Sequence, residues 1–166
     1  MRQKGEKKMS LVSREFAFQK IQQAIYIIRG QKVILDRDLA ALYGVSTKVL
    51  KQAVRRNAGR FPNDFMFVLT PKEFAIWRSQ FVTSKFDKMG LRYAPMAFTE
   101  QGVAMLSSVL NSERAVQINI AIMRAFVQLR ETLALHKDLA KKLSELEGKI
   151  ENHDEHIHIC FRQSAN

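Results

Sequence analysis

Residues 33–57, VILDRDLAALYGVSTKVLKQAVRRN, decide how the first half of this chain folds. The order of apolar and polar positions predicts a helix at about 36–43 and a second helix at about 46–57. Gly44, between the two, supplies the backbone freedom that a tight turn needs. The hydroxyl residues that follow Gly44 can cap the first amides of the second helix. The stretch therefore predicts two short helices joined by a glycine turn.

The second helix has two different faces when it is drawn at about 100° per residue. The basic or amide face consists of Lys48, Lys51, Gln52 and Arg55, with Arg56 at its edge. The apolar face consists of Val49, Leu50, Ala53 and Val54. A basic face can be an ordinary solvated surface, or it can contact the major groove as in a helix-turn-helix. The distribution of charge along the chain favours the second interpretation.

The positive charge is concentrated where the helix pair lies. The net charge is +11, and residues 1–60 hold 14 Lys and Arg against 4 acids. Residues 61–110 hold 5 Lys and Arg against 4 acids, and residues 111–166 hold 8 Lys and Arg against 8 acids. Such asymmetry indicates a polyanionic partner, and nucleic acid is the first candidate. RNA is the weaker candidate, because the basic face lacks the exposed aromatic side chains that stack on single-stranded bases.

Several other classes of protein are disfavoured. No apolar run approaches the length of about 20 residues that spans a membrane, so we expect no membrane partner. The N-terminal string MRQKGEKKMS has no apolar core of a signal peptide, and Cys160 is the single cysteine, so we expect a cytoplasmic protein. No nucleophile and base pattern and no phosphate-binding glycine loop is recognisable, so we expect neither an enzyme nor a cofactor.

Two groups of side chains resemble chemical sites without fitting one. The acids Asp36 and Asp38 lie at the start of a predicted helix, which favours capping and dipole compensation over a carboxylate dyad. The second group is His153, His156, His158 and Cys160. Its spacing fits no zinc site on one helix, so we expect no metal.

Strand patterns lie on both sides of the helix pair. The segment AIYIIRGQKVILD has two β-rich runs around Arg29–Gly30 and predicts a hairpin. Residues 61–70, FPNDFMFVLT, predict a strand buried on both faces, and a second strand is predicted near residues 93–98. A short helix between them should begin at Thr70–Pro71 and end at about Arg78.

The segment between these later strands is polar and basic. Two strands joined by a basic loop beside a helix-turn-helix indicate a winged-helix-like domain, whose wing offers further phosphate contacts. The candidate wing contacts are Lys85, Lys88 and Arg92. The predicted fold class is therefore α+β, a winged-helix-like domain with small β-hairpins.

The C-terminal part is predicted to be helical. Thr99 opens a helix that runs through Leu110, and Ser112–Glu113 caps a last helix of about 40 residues. Its apolar positions alternate by three and four residues, which is a heptad pattern. Beyond residue 132 only a narrow seam remains, which predicts a coiled-coil homodimer, the alternative being a solitary amphipathic tail. The predicted dimer contacts are Leu139, Leu143, Leu146 and Ile150.

Four strings of the sequence resemble a known family. They are RGQKVILDRDLAALYGV, RFPNDFMFVLT, SQFVTSKF and AFTEQGVAMLSSVLNSERAVQINIAIMRAFVQLRE, in that order. Over about residues 24–131 they are similar to the KilA-N-type DNA-binding domain of phage and bacterial proteins, in the branch called the open-reading-frame-six N-terminal domain. The segment 87–92 departs from the family, which usually has a shorter glycine-rich loop there.

The resemblance implies a DNA-binding module of mobile-element origin with regulatory or anti-repressor roles. The family's basic helix corresponds here to Thr47, Lys48, Gln52, Arg55, Arg56 and Asn57. We divide the chain into a disordered basic segment at 1–13, a DNA-binding domain at 14–132 and a coiled-coil helix with a frayed tail at 133–166.

We expect a phage- or prophage-derived transcriptional regulator that binds specific double-stranded DNA in the bacterial nucleoid. Gln52 and Arg55 are expected to contact base edges. The expected phosphate contacts are Lys48, Lys51 and Arg56, with Arg60 as a further DNA contact and Asn57 as a helix cap. The alternative is an anti-repressor or adaptor that binds a repressor protein through its C-terminal helix.

Overall fold

The computed structural model describes the backbone of residues 17–81 and 93–163 and the side chains of residues 17–80 and 93–150. Its internal contacts divide the chain into two compact units, Met1–Phe126 and Val127–Asn166. The segment 1–13, predicted to be disordered, lies outside the described residues. So do the predicted wing contacts Lys85, Lys88 and Arg92.

Short strands and helices form most of the first unit, and one long helix begins in it and continues through the second unit. The elements are α1 (17–23), β1 (Ile25–Ile28), β2 (Gln31–Leu35), α2 (Asp36–Tyr43), α3 (Thr47–Arg56), β3 (Met66–Val68), α4 (Pro71–Phe81), β4 (Met96–Thr99), α5 (Glu100–Leu110) and α6 (Glu113–Gln163). The 3-10 turn Ala58–Arg60 follows α3. The predicted α+β class and long C-terminal helix are confirmed, although α6 has 51 residues rather than about 40.

The predicted hairpin is formed by β1 and β2. Arg29 and Gly30 both have positive φ, 55° and 71°, which is the backbone that a two-residue type I′ turn requires. The strands pair antiparallel, with Ile28 opposite Gln31 next to the turn. The hairpin therefore forms where the sequence predicts it.

Within the described residues, four strands form one antiparallel sheet in the order β1-β2-β4-β3. Side chains alternate between its two faces, as strand geometry requires. Ile34 and Phe98 face a large cluster that includes α2, α3, α5 and the start of α6. Val33 and Ala97 face a smaller cluster on the α4 side. The sheet thus lies between α4 and a layer that contains α2 and α3.

An ion pair between Arg29 and Glu73 connects the hairpin to helix α4. Thr70 and Glu73 form a reciprocal cap: the Glu73 amide donates to the Thr70 hydroxyl at 3.2 Å, and the Thr70 amide donates to the Glu73 carboxylate at 2.8 Å. Arg29 donates to both oxygens of Glu73, at 2.7 and 3.0 Å. These hydrogen bonds, that of Arg29 first, lower the pKa of Glu73 to about 2. They confirm the predicted start of the helix at Thr70–Pro71.

Two strand predictions need correction. β3 is not buried on both faces, because it lies at the sheet edge and Val68 at its end is 49% exposed. The later strand is Met96–Thr99 and begins after Tyr93, which is 74% exposed. β4 lies in the centre of the sheet, so all four of its residues are buried. The aromatic residue at 93 has β propensity, but among the described residues no strand pairs with it.

Helix α5 begins where the chain passes close to β3. The Thr99 hydroxyl caps the helix by accepting from the Gly102 amide at 3.4 Å. The Thr99 amide donates to the Phe65 carbonyl at 3.0 Å. A β-carbon on Gly102 would lie only 2.0 Å from that same carbonyl oxygen. The position therefore requires a glycine for close backbone approach.

Gly102→Ala should destabilise the first unit. The added methyl meets backbone rather than a movable side chain, so we expect a loss of about 3 kcal/mol or more in the free energy of unfolding. Chemical denaturation monitored by Trp77 fluorescence measures it. The matched control is Gly59→Ala, where a β-carbon meets nothing within 4 Å and where we expect a change within about 0.5 kcal/mol. Equal effects of the two substitutions would contradict this account of Gly102.

Candidate nucleic-acid interface

The predicted pair of helices with a glycine turn is formed by α2, Gly44 and α3, and this segment is called the helix-turn-helix below. Gly44 ends α2 in the left-handed conformation, and its amide contacts the carbonyls of Ala40 and Ala41. Ser46 caps α3 by accepting from the Val49 amide at 3.2 Å. Leu50 and Val54, one turn apart, are buried in the main cluster and hold α3 against the fold. The backbone of this motif therefore follows from its caps and its apolar positions.

The exposed face of α3 differs from the predicted one in two residues. Its exposed side chains are Lys48, Val49, Gln52, Arg55 and Arg56, while Thr47, Lys51 and Ala53 are partly buried. Val49, assigned by the sequence to the apolar face, is 49% exposed. The reason is that Leu50 and Val54 set the buried direction, and Val49 lies roughly 100° or more from both around the helix axis.

Lys51 is directed towards the protein. Its ammonium lies 3.2 Å from an oxygen of Asp36, and the two side chains are 19% and 2% exposed. The same Asp36 oxygen accepts from the Met96 amide at 2.9 Å. The other oxygen accepts from the Arg37 amide at 2.7 Å, which is the predicted role of an acid at a helix start. Asp36 thus connects α2, α3 and the beginning of β4.

Asp38, the second acid of α2, has a different environment. Burial raises the pKa of its carboxyl to about 6, and the neighbouring Arg37 and Tyr26 oppose that shift. Burial also raises the pKa of Tyr26 to about 12, with Asp38 adding to it. The negative charge of Asp36 adds a smaller upward contribution to the pKa of Asp38.

The residues that follow α3 cap its C-terminal end and contact α5. The Asn57 side-chain amide donates to the Ala53 carbonyl at 2.9 Å, which is a cap as expected. Arg60, in the 3-10 turn, donates to the Ser108 hydroxyl at 3.0 Å and remains exposed. Arg60 therefore adds positive charge close to the C-terminal end of α3.

Arg114, near the start of α6, is a cation that sequence analysis missed. A β-carbon on Gly44 would lie 3.0 Å from the guanidinium carbon of Arg114, so the guanidinium packs over the glycine of the turn. No local signal could have revealed this contact, because the two residues are 70 positions apart in the chain. The helix-turn-helix is therefore bordered by exposed cations at its turn and at the end of α3.

A comparison with protein families supports the grouping of these elements. The model of the ORF6N domain matches residues 23–109, which is more than half of the chain. The chain belongs to the ORF6N domain family. Comparison with curated proteins and with solved structures gave no significant match.

The matched ORF6N domain is phage-associated and contains the whole sheet, α2 and α3. All eight residues predicted to contact DNA, from Thr47 to Arg60, lie within the match. Helix α6, with Arg114 and the predicted dimer contacts, lies beyond it. The family thus accounts for the helix-turn-helix and its sheet, whereas the long helix is additional.

Two further observations concern the rest of the chain. Among the helices that the structure describes, none is both long and apolar enough to cross a membrane. In the same described part, no three His, Cys, Asp or Glu side chains are placed to hold a metal ion. The side chains of His153, His156, His158 and Cys160 lie outside the described ones.

Lys51→Met should destabilise the ORF6N domain more than Lys48→Met. Removing the Lys51 ammonium leaves the buried Asp36 carboxylate with fewer partners, so we expect a loss of about 2 kcal/mol in the free energy of unfolding. Lys48 is an exposed cation on the same helix, and its substitution should change that free energy by no more than about 0.5 kcal/mol.

A double-mutant cycle separates the ion pair from other effects. With Asp36→Asn as the second substitution, the coupling free energy to Lys51→Met should reach about 1 kcal/mol. Urea denaturation of the four proteins measures this coupling. Additive losses would show that the two side chains do not stabilise each other.

Proposed function

We propose that this protein binds specific sequences of double-stranded DNA through α3, as a phage- or prophage-derived transcriptional regulator of the KilA-N type. One observation carries the proposal. The exposed polar side chains of α3 are Lys48, Gln52, Arg55 and Arg56, on a helix without an acidic residue. A helix face that offers cations and an amide matches the phosphates and base edges of a major groove. We propose that the protein acts on nucleoid DNA and that it has no catalytic role.

The proposed contacts divide by chemistry. Lys48 and Arg56 neutralise phosphates, as does Arg60. Gln52 lies at the centre of the exposed arc, with Arg55 beside it, and these two contact adenine and guanine edges. Lys51 is reassigned from phosphate contact to positioning, because its ammonium is paired with Asp36 at 3.2 Å.

We further propose that the domain is winged-helix-like. The support is the antiparallel pairing of β3 with β4 in the same sheet as the hairpin. In such a domain, the basic segment between the two strands supplies additional phosphate contacts from Lys85, Lys88 and Arg92.

We propose that α6 pairs two copies of the chain as a coiled coil. The support is a row of exposed apolar side chains at heptad spacing. It consists of Leu139, Leu143, Leu146 and Ile150, which are 54–62% exposed. Two copies of the protein would bring two α3 helices to two half-sites of a DNA operator.

A second function rests on the same row of side chains. An apolar seam on an exposed helix also fits a helix of another protein, such as a repressor. In this alternative the chain is an anti-repressor or adaptor, and DNA affinity is secondary.

Duplex DNA binding should weaken steeply with salt. If each protomer neutralises about five phosphates, log K against log salt should have a slope near −4 to −5. Lys48→Ala should make the slope shallower by about 0.9 and weaken binding to all sequences alike.

Arg55→Ala should cost about 1–3 kcal/mol of binding free energy on the preferred site and relax sequence preference. Fluorescence anisotropy with labelled duplexes measures both effects.

The matched control for these substitutions is Lys141→Ala, an exposed cation of α6 outside the ORF6N match, which should leave slope and preference unchanged. A salt-independent affinity of the unsubstituted protein rules out the proposal. Identical effects of Lys48→Ala and Arg55→Ala would mean that Arg55 does not contact bases.

The oligomeric state tests the coiled coil. The monomer mass is 19.1 kDa, and light scattering should give twice that value. Leu139→Gln combined with Leu143→Gln should shift the equilibrium to the monomer, because the substitutions remove two leucines that the proposed dimer would bury. Leu135→Gln is the matched control, since Leu135 is 70% exposed but outside the seam. A monomeric unsubstituted protein that binds a repressor through α6 would instead support the adaptor alternative.

A further inference from the structure

Val49 is an apolar side chain in a polar and charged surface. It is 49% exposed, and every other exposed side chain of α3, a helix described throughout, is Lys48, Gln52, Arg55 or Arg56. Single exposed apolar residues are ordinary on protein surfaces. The position of Val49, rather than its exposure alone, carries the inference.

The position of Val49 is fixed by the cap of α3. Its amide donates to the Ser46 hydroxyl at 3.2 Å, which holds the first turn of the helix. A β-branched side chain in a helix has one strongly preferred χ1 angle. The two methyl groups of Val49 therefore project from a rigid point, and little side-chain entropy is lost when they contact a ligand.

The neighbours of Val49 define the surface that it belongs to. Gln52, one turn later, and Lys48, the preceding residue, are exposed on the same side of α3. The first turns of a helix-turn-helix recognition helix are the part that contacts base edges. The apolar group that a base edge offers in the major groove is the C5-methyl of thymine.

We propose that Val49 is a specificity-determining residue that contacts the C5-methyl group of a thymine. This inference rests on the proposed binding of duplex DNA. Val49 then supplies the apolar part of a recognition surface in which Gln52 and Arg55 supply the hydrogen bonds. The preferred half-site contains one thymine whose methyl group, rather than its pairing, is required.

Replacement of thymine by deoxyuridine tests this contact, because it removes the methyl group and keeps the base pair. The probe is a duplex selected by the full chain from a random library, with each thymine replaced in turn. For the unsubstituted protein, one replacement per half-site should weaken binding about three- to fourfold. For Val49→Ala, the thymine and deoxyuridine duplexes should bind equally at that position.

Two further variants complete the test. Val68→Ala is the matched control, because Val68 is also 49% exposed but lies on β3, and it should retain the deoxyuridine penalty. Val49→Thr keeps one methyl group and should retain part of the penalty. Thermal denaturation of each variant establishes that it is folded.

The outcomes separate this inference from the function on which it rests. Absence of any selected duplex overturns both. Selective binding without a deoxyuridine penalty, or with a penalty that Val49→Ala retains, overturns only the role of Val49. Loss of the penalty in Val68→Ala as well would also overturn it, since the effect would not come from α3.

Discussion

The carboxylate of Asp36 holds together the parts of the fold on which the candidate interface depends. It is 2% exposed and contacts the Arg37 amide at the start of α2, the Met96 amide at the start of β4 and the Lys51 ammonium of α3. A buried charge requires such partners, because desolvation is costly. Apolar packing of Leu50 and Val54 sets the buried side of α3. The ion pair holds Lys51, next to that side, against α2 and so supports the same orientation.

The orientation of α3 about its own axis determines which side chains form its exposed surface. A wheel centred on the cations includes Lys51 and excludes Val49, whereas the structure reverses these two assignments. The exposed arc is therefore shifted by roughly 40° and is centred on Gln52. The exposed surface of α3 lacks the cation of Lys51, which pairs with Asp36, and includes the apolar side chain of Val49. The exposed surface of α3 therefore combines cations, an amide and one apolar side chain.

Local patterns predicted the local parts of this fold. The turn at Arg29–Gly30, the Thr70–Glu73 cap and the glycine between α2 and α3 all depend on neighbours within a few residues, so the sequence contains their signals. Contacts between distant residues carry no such signal. Asp36 and Met96 are 60 residues apart, and the exposure of Val49 depends on which strands and helices meet beside α3. The two helices and their glycine turn were therefore located correctly from sequence, whereas the exposure of Val49 and the pairing of Lys51 with Asp36 were not predicted.

The structural domain extends beyond the segment that the family match covers. The match ends at residue 109, yet Ala115, Ile122 and Phe126 of α6 are buried in the main cluster with α2 and α3. The Tyr43 hydroxyl, at the end of α2, donates to the Asn119 side chain. Without the start of α6, that hydroxyl would lose its partner and the apolar side of the helix-turn-helix would meet water. Because Arg114 also packs over Gly44, the first turns of α6 belong to the motif itself.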